Sequence, residues 1–258
     1  MARRKNIYRV LFTEFIKKGK KMQYQNFDID KHIEERSKRH EQAYTDNIHY
    51  IGLSTIELNI SELCNRTCSF CPRYDPKVYP NQKLFMKMST VKKLVKELER
   101  NNWYGDIHIT GFGEPHTHPK LKEIVKELKQ YKKLYVEITT NGDRIVDKED
   151  GYANKLYNYG LDMLTVDCYD GVDQYNRRIE IMKLYQGNNR LRSHEDKGDP
   201  LELMKLYGFN NRSGIMNSLE KIPKNPCYLP FYKTLIDWNG NLVLCCNDWY
   251  RKAGDLGN

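Results

Sequence analysis

The sequence predicts an α/β fold built on a parallel sheet, and three observations predict it. From about residue 54 to residue 186, short apolar runs alternate with amphipathic stretches of ten to fifteen residues. That is the pattern of βαβ units with right-handed crossovers. The chain has 258 residues and is 39% hydrophobic, which suffices for a full core without disulfide staples. Its seven cysteines are odd in number and spread along the chain, which argues against a secreted disulfide scaffold and for a reducing cytoplasm. No N-terminal signal peptide is evident, and no apolar run approaches the roughly eighteen residues of a membrane span.

Taken in order, residues 1–50 form a basic extension. The first forty carry 12 Lys or Arg against 5 Asp or Glu, in a chain of net charge +9. Ile7, Val10, Leu11 and Phe15 recur at helical spacing and give that extension one apolar stripe. A basic arm of this kind suits nucleic acid or an anionic membrane surface. The plainer expectation is a solvated helix that docks its stripe on the main domain.

Residues 51–216 hold the α/β repeat. "STIELNIS" (54–61) alternates apolar and polar residues as a strand does, and "STVKKLVKELERN" opens on a Ser/Thr cap and puts Val91, Leu94, Val95 and Leu98 on one helical face. "DIHIT" and "LYVEITT" are the next strands, each followed by a helix, and "LDMLTVDCYD" is a further strand before the helix "QYNRRIEIMKLY". "NNRLRSHED" and "LMKLYGFNNRSG" each suit a strand less clearly, because charge and glycine blur the period. In residues 217–258 the runs "YKTLIDW" and "NLVLCC" flank Asn239-Gly240, a hairpin signal that predicts a small appended module.

In parallel sheets the loops after the strand C-termini converge on one rim, where ligands bind. Here those loops are "CNRTCSFC" with Cys64, Cys68 and Cys71, then "GFGEP" (111–115), "TTNG" (139–142) and "VDCYDG" (166–171). Three thiolates cannot close a structural zinc site, which wants four ligands. They can hold three corners of an iron-sulfur cluster and leave one iron open. A dithiol reading of Cys68 and Cys71 leaves Cys64 without a role.

The cysteine loop, followed by "GFGEP" and then "TTNG", resembles the radical S-adenosylmethionine (SAM) superfamily over roughly residues 54–214. The resemblance implies a partial, open (β/α)6 TIM-type barrel. It implies that Cys64, Cys68 and Cys71 bind a [4Fe-4S] cluster whose fourth iron chelates SAM. Gly111 and Gly113 then let backbone approach the cofactor, and Glu114 accepts a hydrogen bond from its ammonium. Thr140 and Asn141 orient the methionine or ribose, and Asp167 meets the ribose or the substrate. The plain alternatives are an ordinary Asn-Gly turn and a helix cap. Cys168 points the other way on its strand, into packing. Arg192 and Arg212 are candidates to clamp a carboxylate.

The activity implied is reductive cleavage of SAM to a 5′-deoxyadenosyl radical that abstracts a substrate hydrogen. A peptide or a sugar or aminoglycoside-type molecule is the expected substrate, dehydrogenation or a related modification the outcome, and a flavodoxin- or ferredoxin-type protein the low-potential electron donor. Two alternatives stand beside it: an RNA-modifying member that uses the basic arm, and a non-catalytic iron-sulfur binder. Glu114 and its glycines argue against the second.

Cys227, Gly240 and Cys245 are spaced C-x12-G-x4-C, similar to the opening of the SPASM or shorter twitch extension, which binds auxiliary [4Fe-4S] clusters. Further downstream cysteines are missing, so the ligand set is incomplete. A truncated chain, an unusual fourth ligand such as Asp248, or a lid without iron would each explain that. Asp248 is also a candidate catalytic acid or base. Cys245 and Cys246, as neighbours on a strand, are expected to face opposite ways.

Overall fold

The computed structural model describes residues 29–46, 52–146, 151–193, 212, 215, 216 and 229–251. In chain order these form α1 (Ile29–Asp46), β1 (Thr55–Leu58), α2 (Met88–Arg100), β2 (Gly105–Ile109), α3 (Leu121–Leu128), β3 (Leu134–Thr140), α4 (Tyr152–Asn158), β4 (Met163–Cys168), α5 (Gly171–Met182), β5 (Asn188–Ser193), β6 (Lys233–Ile236) and β7 (Leu242–Val243). Two units are distinguished, Met1–Ser37 and Lys38–Asn258. Of the first, only the opening turns of α1 are described. The stripe at Ile7, Val10, Leu11 and Phe15 lies outside the described residues, as do Cys227 and nearly all of "LMKLYGFNNRSG".

In the second unit the strands form one sheet in the order β5-β4-β3-β2-β1-β6-β7. β1 to β5 pair in parallel in sequence order, and only β6 and β7 pair antiparallel. β6 pairs in parallel with the free side of β1, Thr55 opposite Lys233 and Leu58 opposite Ile236. The predicted hairpin is present, turning over Trp238, Asn239 and Gly240, with the Asp237 amide donating to the Asn241 carbonyl at 2.9 Å. It does not sit apart as an appendage, because its first strand completes the main sheet.

Alternation along the strands divides the sheet's two faces. Ile56, Leu58, Ile107, Ile109, Val136, Ile138, Leu164, Val166 and Cys168 point to one face and pack with Val91, Val95, Leu98, Ile124, Val125, Leu128, Leu156 and Met182 of the helices. Each such side chain contributes roughly 1.5–3 kcal/mol on full burial. Cys168 is 1% exposed in this layer, as its place on the strand predicts. The residues between them face the other way and are polar: Thr55, Glu57 and Asn59 from β1 and its exit, Asp106 and His108 from β2, Glu137 from β3, Thr165 and Asp167 from β4. All of these are buried.

The C-terminal half of α1 is tied to the N-terminal ends of three strands. Arg39 Nε donates to Asp106 at 2.8 Å and its guanidinium lies 3.7 Å from the Tyr135 ring centroid. His40 Nε2 and Thr55 Oγ1 are 3.1 Å apart. Burial alone would raise the Asp106 pKa, but the hydrogen bonds from His40 and Arg39 outweigh it and hold the carboxyl below its usual value.

The Ser/Thr cap expected for "STVKKLVKELERN" is not used. The helix begins one residue earlier, its N-cap is Lys87 with no side-chain bond, and Ser89 and Thr90 lie inside the first turn.

Candidate functional site

The rim at the strand C-termini gathers most of the sequence-predicted residues. Cys64, Cys68 and Cys71 lie on the loop after β1, partly exposed and with free thiols. The loop is folded on itself: the Cys71 amide donates to the Cys68 carbonyl at 3.0 Å, and Asn81 brackets Cys64 by accepting from its amide at 2.9 Å and donating to its carbonyl at 3.0 Å. Burial raises the Cys64 pKa to about 11 and raises that of Cys71. Backbone amides oppose this, that of Arg66 reaching the Cys64 sulfur at 3.5 Å and that of Arg73 the Cys71 sulfur.

Thiols held up by burial ionise when a cation takes the proton's place, and the N–H donors already aimed at them suit the resulting thiolates. The donor set therefore fits an iron-sulfur cluster. Among the described residues no three His, Cys, Asp or Glu side chains form a cage for a single ion. A four-iron cluster spaces its thiolates more widely than one ion does.

Glu114 is buried on the next loop. Its Oε1 accepts from Thr140 Oγ1 at 2.6 Å and from the His116 amide at 3.1 Å, and its Oε2 accepts from the Asn141 amide at 2.8 Å. A carboxylate offers about four acceptor positions, so three are used and one remains for a ligand. Burial pushes the carboxyl up to about 7, and these three donors only partly offset it. Asn141 Nδ2 lies 4.0 Å from the Cys64 sulfur and donates to Asn65 at 2.9 Å. Cys64, Glu114, Thr140 and Asn141 are thus one contiguous group.

The glycines are required by this chain's own packing. A Cβ at Gly113 would lie 2.1 Å from the Ser61 carbonyl oxygen, and one at Gly111 would lie 2.7 Å from the Asn59 Cβ. Gly111 also has φ +134°, which other residues rarely adopt. Both admit the exit of β1, where the Glu114 amide donates to the Leu63 carbonyl at 2.9 Å. What they let approach is the Asn59 side chain at Gly111 and the Ser61 and Leu63 carbonyls at Gly113.

Asp167 and Arg192 face each other in register on β4 and β5, joined by a two-pronged ion pair of 2.6 and 2.9 Å. Burial would lower the arginine's pKa, but the charge of Asp167 and its hydrogen bonds raise it. Asp167 thus engages Nε and one terminal nitrogen of Arg192, whose side chain is 38% exposed. Tyr169 joins them, donating to Asp167 at 3.2 Å and packing on Phe70 of the cysteine loop with ring centroids 5.3 Å apart. Arg212 donates to Asn247 at 3.2 Å, and its charge reaches Cys71.

At the C-terminal turn the expectation of opposed thiols fails. β7 ends at Val243, so Cys245 and Cys246 lie in a turn, and their thiols hydrogen-bond each other. That bond and the Asn247 amide, 3.4 Å from the sulfur, lower Cys245 to about 6 against its desolvation. Cys246 is raised in consequence. Asp248 is buried, and its amide donates to the Cys245 carbonyl at 2.9 Å.

Two arrangements escaped the sequence. Glu62, 2% exposed, accepts from Asn59 at 2.7 Å, Arg73 at 3.0 Å, Tyr79 at 2.8 Å and Arg251 at 2.6 Å. Asn59 and Arg251 in turn reach Asp237 of the hairpin, at 2.7 and 3.0 Å, and Arg73 Nε donates to the Phe112 carbonyl at 2.7 Å. This cluster ties the cysteine loop, "GFGEP" and the hairpin into one body. On the opposite side Arg66, between Cys64 and Cys68, forks onto Asp143 at 2.6 Å and Asp170 at 2.7 Å, lacing the loops after β3 and β4 to the cysteine loop. The one available signal was the polar alternation of "STIELNIS", since a parallel strand covered by apolar layers on both faces reads as a continuous apolar run.

Over 209 residues the chain is 24% identical to the S-adenosyl-L-methionine-dependent 2-deoxy-scyllo-inosamine dehydrogenase of Niallia circulans, covering 79% of this chain and 78% of that protein. It is 30% identical over 145 residues to a probable GTP 3′,8-cyclase of Saccharolobus islandicus, which covers 51% of this chain but 43% of the cyclase. The crystal structure of BtrN in complex with AdoMet and 2-DOIA superposes with a TM-score of 0.62 at 23% identity, over 80% of this chain and 78% of that one. The fold is therefore the α/β partial barrel that the motif implied. The family model for the Radical SAM superfamily matches residues 58–195, more than half of the sequence and all of the rim loops, and the chain belongs to that superfamily.

Proposed function

We propose that this chain is a SAM-dependent dehydrogenase of a small molecule. The carrying observation is the contiguity of Cys64, Glu114, Thr140 and Asn141 on one rim. In this reading Cys64, Cys68 and Cys71 hold a [4Fe-4S] cluster. When bound, the cluster supplies the electron that cleaves SAM and so gives the 5′-deoxyadenosyl radical that takes a substrate hydrogen. Glu114 receives the ammonium of SAM at its remaining acceptor position, with Thr140 and Asn141 fixing the carboxylate's orientation. Gly111 and Gly113 act by letting the exit of β1 lie against this loop. Asp167, held by Arg192, faces the ribose or the substrate.

The dehydrogenase relative spans most of both chains, which favours a small molecule over a peptide or RNA. A flavodoxin- or ferredoxin-type protein is the donor in this proposal, and a reducing cytoplasm suits its thiols. No helix among the described residues is long and apolar enough to cross a membrane. The proposal extends to an auxiliary cluster at Cys227 and Cys245 in a SPASM- or twitch-like segment. Its support is the Cys245 thiol, whose pKa is lowered by its bond with Cys246 and by the Asn247 amide, with buried Asp248 nearby as a further oxygen ligand.

The test is anaerobic reconstitution with iron and sulfide, followed by SAM and dithionite. The expected product is 5′-deoxyadenosine, and its absence from fully loaded protein would sink the reading.

A further inference from the structure

The polar face of the sheet is a built surface. Each layer of side chains across it is paired. At the N-terminal end Asp106 holds Arg39. In the middle, Glu137 accepts from Arg190 at 2.8 Å and from Thr165 at 2.7 Å, and lies 3.2 Å from His108 Nε2, while Arg190 Nε also donates to Thr165 at 2.7 Å. At the C-terminal end Asp167 holds Arg192. Solvent reaches this face: the side chains of Arg190 and Lys233 are each 20% exposed and that of Arg192 is 38% exposed.

One member of the middle layer departs from this pattern. Glu57 lies opposite His108 in register, and its side chain is 8% exposed. Its Oε1 meets Lys233 Nζ at 2.5 Å, but its Oε2 is buried without a hydrogen-bond partner. An acceptor removed from water and left unmade costs about 1–3 kcal/mol, more when charged, so a donor belongs there. Cys246 of the C-terminal turn lies within the field of both Glu57 and Lys233.

Resting on the dehydrogenase reading above, we propose that Glu57 is a substrate-binding residue that receives a protonated amine of a small polyhydroxylated substrate at its free Oε2. The chemistry of the site favours that class. A carboxylate oxygen gains most from a charged donor, and the neighbouring Thr165, Glu137, His108 and Arg190 offer the mixed donors and acceptors that hydroxyl groups require.

The experiment uses the full chain, reconstituted with iron and sulfide and saturated with SAM, in anaerobic titration calorimetry. The probes are 2-deoxy-scyllo-inosamine and its N-acetyl derivative, which keeps the hydroxyls and loses the cation. Wild type is expected to hold the amine about tenfold more tightly than the amide, the difference between a charge-assisted and a neutral hydrogen bond. Glu57→Gln is expected to bring the amine down to the amide's level. Equal binding of the two probes, no binding of the amine, or a Glu57→Gln variant that keeps its preference for the amine would each overturn the proposal. If that variant does not fold, the comparison of amine and amide on wild type decides alone. Formation of 5′-deoxyadenosine by wild type is scored separately. A chain that makes the nucleoside but ignores the amine loses this inference only, and one that holds the amine but makes no nucleoside loses the dehydrogenase reading only.

Discussion

The two faces of this sheet are built from the same strands and solve burial in opposite ways. Towards the helices, Leu58, Ile107, Ile109, Val136 and Val166 are each fully buried among apolar neighbours. Towards the other side, Glu57, His108, Glu137 and Asp167 are nearly as buried but are held by ion pairs and hydrogen bonds. A face of fixed charges is a poor source of stability, because desolvation offsets much of each pair's attraction. It is a good source of orientation. In the proposed reading the fold therefore keeps stability on the helix face and chemistry on the polar face and its rim.

That division can be broken in order of size. Replacing Cys64, Cys68 and Cys71 by Ala should reduce 5′-deoxyadenosine formation to background while leaving thermal stability of the apo chain nearly unchanged. Iron counts report the rest: iron retained by the triple variant would belong to the C-terminal turn. Next, Arg73→Ala should cost about 3 kcal/mol in urea unfolding, because it strips Glu62 of a buried counter-charge, and should also lower cluster loading. A loss of stability with normal loading would dissociate the Glu62 cluster from the cysteine loop.

On the apolar face, Ile109→Ala should cost about 2–5 kcal/mol, yet leave nucleoside formation per folded molecule intact. A selective loss of activity there would contradict the division. Glu114 gives a pH test. Its folded pKa of about 7 stands above the ordinary 4.5, so the folded state keeps a proton that the unfolded chain releases. The stability this contributes is full below about pH 4.5 and lost as pH rises through about 7. Glu114→Gln should flatten that part of a melting-temperature profile measured on the apo chain. Smallest, Lys183→Ala removes an ion pair whose two side chains are 62% and 70% exposed and should change unfolding free energy by less than about 0.5 kcal/mol.

The strand and helix order, the hairpin and the three-cysteine loop were legible because each rests on a local period or a short spacing. What escaped the sequence depends on distant partners. Nothing in "YKTLIDW" says that it will lie beside β1 rather than beyond β5. Arg192 and Asp167 are each plausible ligand residues in isolation, and only the register of β4 against β5 reveals that they satisfy each other. The glycines of "GFGEP" were legible as places of close approach, but what approaches is Ser61 and Asn59. Cys245 and Cys246 were misplaced because the strand ends three residues sooner than its apolar run suggests.

The position of β6 bears on how the chain is made. β1 lies inside the sheet, yet one of its neighbours lies 178 residues later, Thr55 pairing with Lys233. As the polypeptide leaves the ribosome, β2 is available to β1 early, while the other edge stays bare until the hairpin has been synthesised. An open strand edge is a template for pairing with other chains, and long-range parallel contacts are among the slowest to form. β6 and β7 therefore also protect the free side of β1 from pairing with nascent copies of the same chain.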